Sequence, residues 1–110
     1  LGHAIENILR NALSHTPKHG TVSLSLKKYP DRFDLQIDDQ GPGIPREHLQ
    51  NIFKPFFRLN TLTSIVHKGF GVGLALARRQ VEATGGKLWA EINEHGGLTM
   101  IMQLPLTKQI

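Results

Sequence analysis

The residues best suited to chemistry lie in the stretch Ile-Asp-Asp-Gln-Gly-Pro-Gly at positions 37 to 43. Phe33, Leu35 and Ile37 precede it at alternate positions and so share one face of a strand. Asp39 continues their parity, which aims a carboxylate at the core side where the strand ends. Such an acid is costly to bury unless donors reach it. Gly41 and Gly43 follow at once and let the backbone approach a bound group closely. Asp38 has the opposite parity and reads as an exposed strand charge. Taken alone, Asp-x-Gly-x-Gly reads as a turn, since Asp, Gly and Pro are common turn formers. Its weight comes from what precedes and follows it.

Two asparagines, Asn7 and Asn11, stand four apart on a helical pattern, in one row with His3 and His15. Their carbonyl oxygens suit a hard cation such as Mg2+. The plainer alternative is a pair of edge amides bonded to water or backbone, and on spacing alone it is the better one. Glu6 is five residues before Asn11, about 140° around the helix, and reads as a surface charge. A third feature is Gly69-Phe70-Gly71-Val72-Gly73-Leu74, a glycine-rich loop running into a helix. Free N–H groups and the dipole at a helix start attract anions. The spacing is not that of the dinucleotide fingerprint, and no Walker lysine follows. Without a ligand the same loop is a flexible hinge.

These groups need a scaffold. Residues 1 to about 15 form an amphipathic helix whose apolar stripe is Leu1, Ala4, Ile5, Ile8, Leu9, Ala12 and Leu13. Thr16-Pro17 ends it. Thr21 to Lys28 alternates Val22, Leu24 and Leu26 as a half-buried strand, and Tyr29 to Arg32 turns it into the strand ending at Asp39, an antiparallel hairpin. Pro45 to Arg58 is a short helical stretch and then an aromatic plug holding Phe53, Phe56 and Phe57. Lys54 and Arg58 within it can reach phosphates or serve as ordinary surface cations. Leu59 to Lys68 has no period of 2 or 3.6 and reads as a functional loop or lid. The next helix carries Leu74, Ala77 and Val81 on one face and stops at Gly85-Gly86. Two strands close the chain: Leu88, Ala90, Ile92, and then Leu98, Met100, Met102, Leu104. Asn93 to Gly97 joins them as a hairpin loop, Trp89 has the opposite parity, and Thr107 to Ile110 is a fraying tail. The pattern predicts an α+β fold: a two-layer α/β sandwich, its mixed, mostly antiparallel sheet covered on one face by helices.

The 110 residues suit one small domain, 1–110, and carry a net charge of +4. There is no cysteine, which excludes disulfides and Cys-based metal sites and fits a reducing compartment. No apolar run approaches the ~20 residues of a membrane span, and no signal peptide is visible. The basic balance suits anionic partners without choosing among them. The chain opens inside a helical pattern without an initiator Met, as a piece cut from a longer protein would.

Each motif is weak, but their order is specific. From Ile5 to Leu104 the chain resembles the ATP-binding catalytic domain of bacterial sensor histidine kinases, which adopts the Bergerat fold shared with gyrase, the ninety-kilodalton heat-shock chaperone and the mismatch-repair ATPases. Glu-Asn-Ile-Leu-Arg-Asn-Ala-Leu at 6–13 is similar to the N box, Asp39 to Gly43 to the G1 box, Ile52 to Arg58 to the F box, and Gly69 to Gly73 to the G2 box. The resemblance implies that Asn11 is the Mg2+ ligand and Asn7 its partner near the phosphates. It implies that Asp39 accepts the adenine amino group and that Gly41 and Gly43 let the chain pass the ring. Gly69, Phe70, Gly71, Val72, Gly73 and Leu74 would wrap the triphosphate, with Lys54 and Arg58 as phosphate contacts, His15 over the adenine, and Phe53 and Phe56 anchoring the lid. Asn7 stands where the hydrolysing relatives carry a water-activating Glu, which implies a kinase and slow ATP hydrolysis by this domain alone.

Ser14-His15 replaces the usual basic residue and Tyr, Phe70 is bulky, Lys68 replaces a frequent glycine, and the strand before the first helix is absent. None of the six histidines is followed by Asp or Glu, as the family's phosphoacceptor is. The resemblance therefore implies an ATP-holding half that serves a histidine on the parent chain's dimerisation domain, with a response regulator downstream. It further implies a membrane-anchored homodimeric parent, with this monomeric piece on the cytoplasmic side. A nucleotide-binding regulatory module and another ATPase of the superfamily are the alternatives. A nucleic-acid-binding role is not expected, because Lys and Arg do not cluster with exposed aromatics.

Overall fold

The computed structural model describes residues 2–55, 57 and 73–106. Helix α1 runs Gly2–His15, strand β1 Ser23–Lys28 and strand β2 Arg32–Asp38. Helix α2 follows at Gly73–Ala83, then strand β3 at Lys87–Ile92 and strand β4 at Leu98–Pro105. The four strands form one sheet in the order β1-β2-β4-β3, and every described pair is antiparallel, so the mixed pairing expected from the sequence is not among the described strands. Both helices lie on one face, giving the two-layer α+β sandwich.

Periodicity decides the core. In α1 the stripe Ala4, Ile8 and Ala12 is buried, with Ile5 and Leu9 partly covered. In α2 it is Leu74, Ala77 and Val81. The inward sheet face brings Leu35 and Ile37 against Met102 and Met100, with Leu88 and Ala90 beyond them. Ile52 and Phe53 plug the end of this layer, as the aromatic segment predicts, and Phe57 packs against it. Phe56 lies outside the described residues.

Helix α2 stops by a glycine device. Gly85 adopts a φ of 86°, Gly86 N–H donates to Val81 O at 3.1 Å and Gly85 N–H to Glu82 O at 3.0 Å. This is the paired bonding of a Schellman cap.

One sequence expectation is refined and one corrected. The short helical stretch expected after Pro45 is present, as 3-10 and not α. It makes two single 3-10 turns, Arg46–His48 and Asn51–Phe53. Strand β1 is not half-buried. All six of its residues are exposed, Leu24 by 55% and Leu26 by 64%. The register sets them opposite Ile37 and Leu35, on the helix side as parity requires. However, α1 packs over β2 and α2 over β3, and neither packs substantially over β1, the edge strand beside β2. Alternation settles which residues share a face, not whether anything covers that face.

Truncating Ile8 to Ala, which is 1% exposed, is expected to cost about 2–5 kcal/mol. Leu24→Ser and Leu26→Ser should each stay within about 0.5 kcal/mol of the parent. Urea unfolding of the three variants checks both statements.

Candidate functional site

Asp39 sits one residue beyond β2, where parity turns it inward, and it is 4% exposed. The donors that such burial demands are present. Leu98 N–H reaches its Oδ1 at 2.9 Å, and Gly41 N–H reaches the same oxygen at 3.0 Å. Hydrogen bonds to a charged acceptor contribute roughly 1.5–3 kcal/mol each, enough to hold the acid in place. Among the described residues nothing donates to Oδ2. The carboxylate therefore has one oxygen locked to backbone and one available to a ligand donor. Asp38 faces the other way, held by the Thr99 hydroxyl and by Gln36 Nε2 at 3.2 Å.

The C-terminal end of α1 is fastened to this strand end. Thr16 Oγ1 donates to Ala12 O at 2.9 Å and accepts Gln40 N–H at 3.4 Å, while Gln40 Oε1 accepts Thr21 N–H at 3.0 Å. A Cβ on Gly41 would lie 2.5 Å from His15 O. Gly43 has a φ of 71°, and a Cβ there would strike Gly96 O in the β3–β4 loop. The two glycines are thus required by close approach of the protein's own backbone.

On α1, Asn7 and Asn11 are half-buried, and neither side-chain amide has a hydrogen-bond partner among the described residues. Asn7 faces the start of α2, since a Cβ on Gly73 would lie 3.8 Å from both its Cβ and its Cγ. His15 turns its Nδ1 onto Asn11 O at 2.8 Å, beside the Ser14 hydroxyl, which bonds the same carbonyl at 2.9 Å. The structure thus sets the C-terminal end of α1 against the end of β2, and Asn7 of the same helix against the start of α2.

Other predicted residues fall elsewhere. Leu74 is a core side chain, 1% exposed, so only its backbone can serve a ligand. Lys54 is exposed and lines a groove of about 560 Å³ against Leu76 and Arg79 on the outer flank of α2. Arg58, Gly69, Phe70, Gly71 and Val72, like Lys68, lie outside the described residues. Leu98 was legible only as an apolar strand position. No local pattern marks its N–H as a donor to an acid 59 residues away.

Among the described residues no three His, Cys, Asp or Glu side chains converge to hold a metal. Any cation here would depend on amide oxygens and on oxygens of its ligand, a donor set that suits Mg2+, which keeps several waters and binds through substrate phosphates.

The comparisons with known proteins show the family. Residues 1–108 match the family described as histidine kinase-, DNA gyrase B-, and HSP90-like ATPase, and the chain belongs to that family. It is 46% identical over 105 residues to the sensor protein PfeS of Pseudomonas aeruginosa, a match covering 96% of this chain and 23% of PfeS. The structure of the mycobacterial sensor histidine kinase MprB superposes with a TM-score of 0.81 at 33% identity, over 94% of this chain and 68% of that one. The histidine kinase ThkA, in complex with the response regulator protein TrrA, gives a TM-score of 0.75 at 28% identity, over 94% of this chain and 28% of that one. The chain therefore spans about a quarter of its curated relative PfeS.

Gly43→Ala should lose more than the about 1–2 kcal/mol that a left-handed residue costs, because the clash with Gly96 O adds to it. Gly96, with a φ of 87° and open space around it, should lose only that conformational cost on replacement by Ala. The gap between their urea midpoints tests whether the loop is seated on the Asp39–Gly43 segment.

Proposed function

We propose that this domain binds Mg2+-ATP and donates the γ-phosphate to a histidine on the dimerisation domain of a two-component sensor kinase. The observation that carries the reading is the half-satisfied carboxylate of Asp39. Its Oδ1 is held by two backbone N–H groups, while Oδ2 is left to accept the adenine amino group. The unpartnered amides of Asn7 and Asn11 support the other end of the site, with Asn11 as the Mg2+ ligand and Asn7 beside the phosphates. A bound Mg2+ supplies charge neutralisation to the triphosphate. The chain's own contribution is positioning, which suits phosphoryl transfer, a reaction that asks little covalent chemistry of the protein.

In this reading Gly69, Phe70, Gly71, Val72, Gly73 and the backbone of Leu74 close over the phosphates, Arg58 and Lys54 lend positive charge, and His15 lies near the base. With Asn7, not Glu, four residues before Asn11, that position offers no base to activate water. The parent would be a homodimer anchored in the membrane, with this domain on the cytoplasmic side and a response regulator receiving the phosphate. No helix among the described residues is long and apolar enough to cross a membrane. The second reading, a nucleotide-binding module with little transfer activity, rests on Ser14 and His15, which both turn onto Asn11 O instead of extending a cation or tyrosine.

Binding of a fluorescent ATP analogue with Mg2+ tests the first claim. Asp39→Asn should weaken it about 10- to 100-fold, the loss of one charge-assisted hydrogen bond. Equal affinity for parent and variant would overturn the assignment. Mixing the domain with the parent's dimerisation domain and ATP should label that domain's histidine, whereas a mere binder gives no phosphohistidine. ATP hydrolysis by the domain alone should remain slow, and Asn11→Ala should abolish labelling.

A further inference from the structure

Asn93 opens the β3–β4 loop, and both ends of its side-chain amide are occupied. Oδ1 accepts His95 N–H at 3.0 Å and Gly97 N–H at 2.9 Å. Nδ2 donates to Asp39 O at 3.0 Å and, more weakly, to Leu98 O at 3.4 Å. The bond to Asp39 O spans 54 residues of sequence, so it ties the loop to the strand end that carries the acid.

The bond to Asp39 O matters because of the ladder it interrupts. Asp38 pairs with Thr99, so Asp39 stands opposite Leu98. Asp39 N–H donates to Leu98 O at 2.9 Å, the first half of an antiparallel hydrogen-bonded pair. In a regular pair the second half runs from Leu98 N–H to Asp39 O. Here Leu98 N–H goes instead to the carboxylate Oδ1 at 2.9 Å. Asp39 O would be left unpaired at a buried position, which backbone carbonyls seldom tolerate. The Asn93 amide takes that place. Gly97 makes room for the exchange, because a Cβ on it would strike Asp39 O and lie 2.8 Å from Asp39 Oδ1.

We infer that Asn93 is a positioning residue for nucleotide recognition: its side-chain N–H substitutes for the missing ladder bond and so releases the Leu98 N–H to orient the Asp39 carboxylate toward the base. The inference rests on the reading of Asp39 as acceptor of the adenine amino group. It predicts a specific defect. Without Asn93, Leu98 N–H returns to Asp39 O, Oδ1 loses a donor, and the carboxylate turns away from its bound orientation. The loss falls on the one contact made by the exocyclic amino group.

The test compares affinities for Mg2+-ATP and for Mg2+-purine riboside triphosphate, which lacks that amino group, by competition against a fluorescent nucleotide. The parent protein should prefer ATP by tenfold or more, the worth of one charge-assisted hydrogen bond. Asn93→Ala should reduce the preference below about threefold while affinity for the purine analogue stays within about twofold. Asn93→Asp keeps both acceptor contacts that shape the loop but lacks the N–H donor, so it should show the same collapse and serves should the alanine variant fail to fold. A variant that keeps the preference, or that weakens both nucleotides equally as a purely structural role would, overturns the inference. A parent protein with no preference for ATP overturns the reading of Asp39 itself, and the two failures are thereby distinguished.

Discussion

Two backbone N–H groups converging on one carboxylate oxygen are the constraint on which the site depends. A carboxyl group with 4% exposure is costly to bury without hydrogen-bond partners, and Asp39 obtains them from Gly41 and Leu98. Each donor fixes a neighbour in turn. The Gly41 bond folds the chain back at the end of β2, against the last carbonyl of α1. The Leu98 bond ties that end to the start of β4. The helix with the two amides and the strand with the acid are thus held together at their junction, before any ligand arrives.

The division of labour around that junction follows from layer geometry. The sheet supplies the acid, α1 the amides, and α2 begins against Asn7. Apolar packing of Ile8, Ile37, Leu74 and Met102 keeps these elements in register. The candidate site lies at the end of the sandwich, where strand ladders and helix ends leave polar groups unpaired.

Much of this was legible in the residues. The 3.6-residue stripe located α1 and α2, and alternation located β2, β3 and β4 with their inward faces. The parity argument placed the Asp39 carboxylate inside and Asp38 outside. Three matters were not legible, for separate reasons. The exposure of Leu24 and Leu26 depends on how far the helix layer extends, which no strand pattern encodes. The Pro45–Phe53 stretch carries helical composition but makes only isolated 3-10 turns. The distant partners of Asp39, the Asn93 side-chain amide and the Leu98 N–H, lie 54 and 59 residues away, so no local pattern marks them. Asn93 to Gly97 looked like an ordinary hairpin connection.

The adjacency of Asp38 and Asp39 has a consequence for how this protein can vary. A one-residue slip of β2 against β4 would swap the faces of the two acids, and with them every apolar side chain of the strand. Leu35 and Ile37 would meet solvent at the same moment that the Asp39 carboxylate was turned outward. The placement of Asp39 and the burial of the strand are therefore written on a single alternation, and drift in one is checked by the other. Change in this domain should come through loops and exposed edges, with the pairing of its central strands left as it is.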